Sequence, residues 1–391
     1  MLDTNTKEFV KQHRCDDVRT LALQAKRYPT VDMREAVAQI EGWQHAREKL
    51  PAWAGTDGIV YPPKISMEQC SSEPAAKYKA SLVSGVRLAD MTGGFGIDFS
   101  YICRGFDEAY YIERNAVLCD IARSNFALLG LAHAKVLNGN SEELLASLPQ
   151  LDWLFVDPAR RDGDGRKVVA LSDCEPNVVD LQEQMLAKAP HVMIKCSPML
   201  DITFACRQLA GVSAVHVVAV NNECKELLFV LDREKTGDCT VHCVNILKEG
   251  VQEFAYAMNG DESPAIKYSN GVGEYLYEPN APIQKAGCPA VVASRFGVSK
   301  LHPNSQLYTA DVAVPDFPGR VFKVVEVVGF SKAEIKRVQA LQKANITVRN
   351  FPESVQQLRK RLKLADGGDN YIFATTLADG NKVLAICKKE K

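Results

Sequence analysis

The chain has 391 residues, of which 46% are hydrophobic and 24% charged, and its formal net charge is −1. This composition is typical of a globular protein, and without an overall basic excess any affinity for nucleic acid must come from a local surface. No apolar run approaches the ~18 residues that cross a bilayer. The N-terminus lacks the apolar core of a signal peptide, and the 12 cysteines show no disulfide framework. We therefore expect a cytoplasmic protein with reduced thiols and no membrane segment.

The predicted elements divide the chain into four regions. Residues 1–80 place apolar side chains at helical spacing, with Asp17 and Asp32 suited to N-caps. Residues 81–236 alternate strands and helices, which predicts a mostly parallel sheet with helices on both faces. A small α+β linker domain over 237–319 follows, for which a ferredoxin-like arrangement is one option. A compact basic α+β domain over 320–391 completes the chain.

The last two strands predicted in region 81–236 are AVHVVAV and ELLFVL. The five residues NNECK between them are too few for a crossover helix, so these two strands must be antiparallel. A doubly wound, mostly parallel sheet of seven strands that is closed by one reversed strand resembles the Rossmann-like fold of class I S-adenosylmethionine-dependent methyltransferases. The resemblance implies S-adenosyl-L-methionine as the cofactor, bound over the carboxyl ends of the strands.

A glycine-rich turn, RLADMTGGFGID, connects the first predicted strand to a helix. Glycines let the backbone approach a ligand closely. The dinucleotide fingerprint G-x-G-x-x-G would need a third glycine where Phe99 stands, so the turn departs from pyrophosphate sites. It matches instead the methyltransferase form D-x-T-G-G-x-G, with a threonine where a first glycine is more common. This match implies that the methionine end of the cofactor is held by Asp90, Thr92, Gly93, Gly94 and Gly96.

Polar residues also follow the second and third predicted strands. Glu113 ends the second strand 17 positions after Gly96, near the ~20 expected for an acid that binds ribose hydroxyls. Asn140 and Ser141 follow the third strand, where the resemblance places contacts to adenine. The three signals in this order indicate a complete cofactor site more specifically than any one of them alone.

The segment WLFVDPARR places Asp157 at the carboxyl end of the fourth predicted strand. Enzymes that methylate an amine on a base carry Asp-Pro-Pro and an aromatic residue at such a place, which implies that Asp157 and the Pro158 carbonyl orient the NH₂ group. No aromatic residue follows here. Arg160 could stack on a base or bind phosphate, and Arg161 adds positive charge. Alternatively, both arginines pair with the acids that follow them.

The letters DPAR also occur in RNA methyltransferases that methylate carbon five of uridine and attack the base with a cysteine after strand five. The segment IKCSPMLD offers Cys196 for that role, and the adjacent Lys195 could lower its pKa. The match departs from that family, because Ser197 replaces asparagine and no N-terminal β-barrel domain is evident. Alternatively, Cys196 is a small buried residue without chemistry.

The region from Ser331 to Lys363 holds nine basic and two acidic residues, which leaves a local charge of +7 in a chain of −1. Such a field suits a phosphate backbone, although a solvated helix face is the alternative. Together with MEQCSSEPAAKYKA, DMTGGFGID and DPARR, this tail resembles the bacterial methyltransferases that carry a THUMP-like domain. THUMP domains proper bind RNA in RNA-modifying enzymes. We therefore expect RNA contacts from Arg160, Arg161, Arg349, Arg359, Lys360 and Arg361.

The sequence thus predicts an S-adenosylmethionine-dependent methyltransferase that acts on a ring or exocyclic amine of a base in tRNA or rRNA. Asp157 and Pro158 are the expected catalytic residues. DNA is not expected as a partner, and no metal site is expected because the CTVHC cluster has no second ligand pair nearby. The alternatives are the uridine mechanism with Cys196, a non-catalytic RNA-binding module, and methylation of a protein or small molecule. The sequence carries no signal of oligomeric state.

Overall fold

A computed structural model describes residues 2–160, 171–260 and 265–390. They form two units. Unit 1 comprises Met1–Val215 and Glu226–Gly237, and unit 2 comprises His216–Lys225 and Asp238–Lys391. Within the described ranges, no helix is both long enough and apolar enough to cross a bilayer.

Helices precede the first strand of unit 1, as the apolar spacing predicts. Asp17 and Asp32 are N-caps whose carboxylates accept hydrogen bonds from backbone amides in the first turn, which confirms that prediction. A small apolar core of Phe9, Leu21 and Ile40 holds the first three helices together. The helices are α1 (Thr4–His13), α2 (Val18–Leu23), α3 (Met33–Lys49), α4 (Pro51–Ala54), α5 (Lys64–Gln69) and α6 (Glu73–Ser81).

The strands and helices that follow alternate along the chain. The strands are β1 (Gly85–Asp90), β2 (Phe106–Glu113), β3 (Ala134–Asn138), β4 (Trp153–Val156), β5 (Ala159–Arg160), β6 (Cys174–Glu175), β7 (His191–Cys196), β8 (Val212–Val220) and β9 (Glu223–Asp232). The helices are α7 (Ile97–Ile102), α8 (Ala116–Leu128), α9 (Ser141–Ser147), α10 (Val178–Lys188) and α11 (Ile202–Gln208).

All of these strands except β5 and β6 form the predicted methyltransferase sheet, in which they follow the order β3-β2-β1-β4-β7-β9-β8. Strands β3, β2, β1, β4 and β7 are parallel, and β9 runs antiparallel to β7. The doubly wound fold with one reversed strand is therefore confirmed. Because their carboxyl ends meet at one edge, the parallel strands bring their terminal residues together there. The short antiparallel pair β5 and β6 was not predicted.

Unit 2 is α+β. Its elements are β10 (Thr240–Leu247), β11 (Gly250–Ala257), β12 (Tyr275–Pro279), α12 (Ala281–Ala286), α13 (Pro289–Phe296), β13 (Ser299–Lys300), β14 (Tyr308–Ala310), β15 (Gly319–Gly329), α14 (Lys332–Gln339), β16 (Asn345–Arg349), α15 (Val355–Leu362), β17 (Asn370–Thr376) and β18 (Lys382–Lys389). Strands from both predicted regions, 237–319 and 320–391, join in one sheet of order β13-β14-β12-β15-β18-β17-β16.

The two faces of this second sheet have separate apolar cores. Leu358 and Val338, from α15 and α14, pack with Leu384 on one face. Phe322 and Phe373 pack with other apolar side chains on the opposite face. This arrangement follows from the period of two along the strands, which sends successive side chains to opposite faces.

Candidate functional site

A cavity of about 230 Å³ lies at the carboxyl edge of the parallel strands in unit 1. Five of the residues predicted for the cofactor and catalytic sites line this cavity, namely Thr92, Glu113, Asn140, Ser141 and Asp157. The other predicted residues, Asp90, Gly93, Gly94, Gly96 and Pro158, stand in the same turns but not in its lining. The cavity wall also contains Arg114 and Glu175, which form an ion pair of 2.7 Å.

The glycines of the β1–α7 turn are required by packing as well as by backbone conformation. A Cβ atom on Gly93 would lie 2.3 Å from the ring of Tyr111, and one on Gly96 would lie 2.8 Å from that of Phe126. Gly96 also has a φ of +83°, a conformation that favours glycine. The turn is therefore held tightly against β2 and α8, and the Tyr111 hydroxyl donates to the Gly94 carbonyl at 2.5 Å.

Asp90 is the buried acid at the end of β1. Its carboxylate accepts hydrogen bonds from the amide and hydroxyl of Thr92, at 2.8 and 3.3 Å, and its side chain is almost wholly excluded from solvent. Burial raises the pKa of Asp90 to about 8, and the nearby carboxylates of Asp98 and Asp157 add to this effect. Asp90 is therefore predominantly neutral at pH 7 in the protein alone, and a bound cation would favour its ionised form.

Glu113 and Asn140 are held by backbone contacts beside the cavity. The Glu113 carboxylate accepts hydrogen bonds from the amides of Gly94 and Asn115, at 2.9 and 2.7 Å. Asn140 caps α9 by accepting a hydrogen bond from the amide of Glu142 at 2.8 Å. An acceptor carboxylate, a capping amide and a buried acid that can ionise suit a ligand with ribose hydroxyls and a positive charge. S-Adenosylmethionine carries both.

Asp157 is anchored from two directions at the end of β4. Its backbone amide donates to the hydroxyl oxygen of Thr92 at 2.6 Å, and the Lys195 ammonium contacts its Oδ2 at 2.5 Å. Lys195 reaches Asp157 because β4 and β7 are parallel neighbours, with Val156 opposite Ile194. Sequence reasoning missed this pair, although the adjacency of the two strand ends would have indicated it.

Lys195 belongs to a group of buried charges, which we call the buried charge cluster: Lys195, Asp98, Lys79, Glu226 and the hydroxyl of Ser71. Asp98 contacts both lysines, with Lys195 at 3.2 Å and Lys79 at 3.1 Å. Lys79 also pairs with Glu226, and the Ser71 hydroxyl donates to Asp98 at 2.8 Å. Although burial disfavours its charged form, Asp98 has its pKa lowered to about 2 by the two lysines. For Lys195, too, burial disfavours the charge, but the surrounding carboxylates hold its pKa well above the usual value.

Comparison with known proteins identifies the chain. A protein from Porphyromonas gingivalis W83, whose crystal structure is known and which is assigned as a methyltransferase, is 35% identical to this chain. The match covers 99% of this chain and 98% of that protein, with a TM-score of 0.91. The chain belongs to the class I S-adenosylmethionine-dependent methyltransferases with a THUMP-like domain. Family models described as THUMP domain-like and as a ferredoxin-like domain match residues 319–389 and 275–318 of the methyltransferase.

Curated relatives agree with this assignment. Two proteins of Mycobacterium tuberculosis, from strains CDC 1551 and H37Rv, are each 24% identical over 323 residues, which cover 81% of the methyltransferase and 84% of the relative. Both are described as uncharacterized S-adenosylmethionine-dependent methyltransferases. The predicted enzyme class and the predicted cofactor, S-adenosylmethionine, are therefore confirmed.

Lys195 lowers the pKa of the Cys196 thiol, as predicted, but larger opposing effects outweigh it and the thiol is not activated. Successive residues of a strand point to opposite faces of the sheet, so the lysine beside Cys196 in sequence turns toward Asp157 instead. Burial raises the pKa of the Cys196 thiol, and the Asp157 carboxylate raises it further. The methyltransferase therefore offers no activated thiolate at this position, and the geometry gives the uridine mechanism no support.

The arginines of the basic tail are already paired within unit 2. Arg349 contacts the buried Glu278 at 2.7 Å, and Arg359 contacts Asp366 at 2.5 Å. Arg361 pairs with Glu353. Of the predicted RNA contacts near the active site, Arg161 lies outside the described residues, and only the backbone of Arg160 lies within them.

The lysines of the tail differ from its arginines. Within Ser331–Lys363, all of which the structure describes, five exposed lysines make no ion pair: Lys332, Lys336, Lys343, Lys360 and Lys363. Of these five lysines, Lys360 is the one that the sequence predicted to bind RNA. A count of charges along the sequence cannot separate these two groups, because it does not show which cation is paired; Arg349, for example, pairs with the distant Glu278.

Proposed function

We propose that this methyltransferase methylates an amine of a base in tRNA or rRNA. The observation that carries the proposal is the Asp157 carboxylate, which lines the cavity at the end of β4 and is anchored by Thr92 and Lys195. An ionised carboxylate accepts hydrogen bonds and donates none, so it suits the orientation of an NH₂ group. The roles below extend this proposal to the residues around it.

The cofactor roles follow the turns at the strand ends. When bound, S-adenosylmethionine supplies an electrophilic methyl group on a sulfonium sulfur. Asp90 and the turn around Gly94 would hold its methionine end, and the carboxylate of Glu113 would accept hydrogen bonds from the ribose hydroxyls. Asn140 and Ser141 would lie beside the adenine. Gly93 and Gly96 keep the turn close to Tyr111 and Phe126, and Thr92 bonds to Asp90 and Asp157, which supports this arrangement.

The catalytic roles belong to Asp157 and Pro158. The Asp157 carboxylate and the Pro158 carbonyl would accept hydrogen bonds from the target amine and direct its lone pair toward the methyl group. The nitrogen–carbon bond forms as the carbon–sulfur bond breaks, and the product amine releases a proton to solvent. Most of the acceleration would come from this positioning.

The missing aromatic residue after Pro158 has a candidate substitute on the next strand. Met199 and Phe204 follow β7, the parallel neighbour of β4, and are 75% and 47% exposed. We infer that they provide an apolar surface for the unstacked target base.

The THUMP-like domain would bind the RNA backbone. Its exposed lysines without ion pairs, such as Lys332 and Lys336 on α14 and Lys360 on α15, support this role because each can neutralise a phosphate. In this proposal the arginines Arg349, Arg359 and Arg361 mainly stabilise the domain through their acids. Arg160 and Arg161 would contact RNA near the target base.

Mass spectrometry of nucleosides from a deletion strain tests the proposal. Total tRNA and rRNA, digested separately, should lack one methylated nucleoside, and the wild-type gene should restore it. Asp157→Ala should fail to restore it while the purified variant still binds S-adenosylmethionine in calorimetry. Asp120→Ala, at an exposed acid on α8, is the matched control and should restore it. Intact RNA modification in the deletion strain would instead favour a protein or small-molecule substrate, and lost cofactor binding would assign Asp157 to the cofactor site.

A further inference from the structure

Lys195 occupies an unusual position for a lysine. Its side chain is 11% exposed, and its ammonium contacts Asp157 and Asp98 at 2.5 and 3.2 Å. Burying an ammonium is costly unless it is paired and hydrogen-bonded. The buried charge cluster provides that pairing, since Asp98 is shared by Lys195 and Lys79. Asp98 thereby helps to keep the Lys195 ammonium charged and paired beside Asp157.

Asp157 does not need this lysine for its own solvation. Its side chain is 39% exposed, so water could hydrate the carboxylate without a buried partner. Lys79, in contrast, is fully buried and pairs with Glu226 and Asp98, which are themselves buried. Lys79 thus balances the charge of the interior, whereas Lys195 makes its shortest contact with a group that faces the cavity.

We propose that Lys195 is a positioning residue for methyl transfer: it fixes the Asp157 carboxylate through Oδ2, so that Oδ1 is presented to the target amine. The proposal rests on the proposed function of Asp157. Two contacts then fix the position of Asp157, because Thr92 binds its backbone amide and Lys195 binds its carboxylate. Misplacement of a reacting group by ~1 Å can lower a rate by about 100-fold, so the second anchor has a measurable effect.

Two substitutions of similar shape separate positioning from a structural role. Lys195→Met and Lys79→Met each remove one buried ammonium from the buried charge cluster and leave acids without a partner. Both should lower the melting temperature. Only Lys195→Met removes a contact to Asp157. Lys195→Gln, which keeps a hydrogen-bond donor, serves as the second variant where Lys195→Met does not fold.

The decisive measurement is methylation of RNA from the deletion strain with radiolabelled S-adenosylmethionine. For Lys195→Met we expect kcat to fall by about 100-fold, while KM for RNA and the calorimetric Kd for S-adenosylhomocysteine stay unchanged. Lys195→Gln should recover part of kcat, and Lys79→Met should keep the wild-type kcat. A wild-type kcat in Lys195→Met, or an equal loss in Lys79→Met, would overturn the proposal.

Crystal structures of the two methionine variants give a readout that needs no substrate. In Lys195→Met the Asp157 carboxylate should rotate from its position in the wild type, and in Lys79→Met it should stay. An unmoved carboxylate in Lys195→Met contradicts the proposal even if RNA is not the substrate. A wild-type enzyme that methylates no RNA would overturn the proposed function instead, so the two failures remain distinguishable.

Discussion

The hydroxyl oxygen of Thr92 accepts a hydrogen bond from the backbone amide of Asp157 at 2.6 Å. This contact joins the turn after β1 to the end of β4. A glycine, which is more common at this position in such turns, could not make it. The threonine therefore links the proposed cofactor turn directly to the proposed catalytic acid, and its substitution should affect both.

Thr92→Val should lower stability by about 1 kcal/mol, because the partly buried Asp157 amide loses its acceptor while the side-chain volume stays the same. The rate of methyl transfer should also fall. Thr92→Ser keeps the hydroxyl and should behave like the wild type in both respects. Urea denaturation and the RNA methylation assay measure the two effects, and equal behaviour of the valine and serine variants would contradict the importance of this bond.

Gly96→Ala should destabilise the protein more than Gly130→Ala. Both glycines have positive φ, at +83° and +71°, so both alanine variants carry a backbone penalty of about 1–2 kcal/mol. A Cβ on Gly96 would also meet Phe126 at 2.8 Å, whereas one on Gly130 has no neighbour within 4 Å. The difference between the two free energies of unfolding isolates the packing effect. If the two variants lose the same stability, the turn is less tightly packed than these distances indicate.

Asp90→Asn should become more stable relative to the wild type as the pH rises. The pKa of Asp90 is about 8 in the folded protein and near 3.8 as a free side chain. Between these values the folded state retains a proton that the unfolded state has lost, so this group makes the free energy of unfolding fall with rising pH. Asparagine removes that dependence. Denaturation of both proteins from about pH 5 to about pH 8 checks the prediction, and a constant difference would argue against it.

Replacing Lys332, Lys336 and Lys360 with alanine should weaken RNA binding without loss of stability. The slope of log K against log salt should become shallower by roughly 0.7 to 0.9 for each phosphate contact removed. The matched variant Arg349→Ala removes a paired cation from the buried Glu278 and should chiefly lower the melting temperature. An unchanged slope in the lysine variant would exclude these lysines as phosphate contacts.

Phe204→Ala and Met199→Ala should raise KM for RNA and leave the Kd of the cofactor unchanged. Loss of one stacked base costs about 1–3 kcal/mol, which corresponds to roughly a 5- to 150-fold effect. Leu23→Ala, at an 88% exposed leucine on α2, is the control for removal of an exposed apolar side chain. The idea of an apolar surface for the base fails if Phe204→Ala and Leu23→Ala have the same KM.

The sequence was sufficient for features that depend on local patterns. The parallel strands of region 81–236, the turn around Gly94 and the place of Asp157 at a strand end all follow from periodicity and composition. The contact between Lys195 and Asp157 does not, because it depends on the register of β4 beside β7. Sequence proximity was not sufficient at Cys196, since burial and the Asp157 carboxylate outweigh the effect of the adjacent Lys195 on the pKa of the thiol.

The basic tail is a second feature that local sequence patterns describe only in part. A charge of +7 over Ser331–Lys363 counts arginines and lysines alike. In the fold, Arg349 is paired with Glu278, which belongs to β12 and lies far away in sequence. The free charges are therefore the lysines, and only the tertiary structure separates them from the arginines.

Glu278 also determines where the chain can be divided. Its carboxylate is buried in β12, and it is bound by Arg320 from β15 and Arg349 from β16. A fragment that begins at Gly319 would contain both guanidinium groups without their acid, and β15 would lose β12 as its neighbour. The ferredoxin-like and THUMP-like segments, although two family models match them separately, share one sheet and one compact unit and should be expressed, transplanted or deleted together.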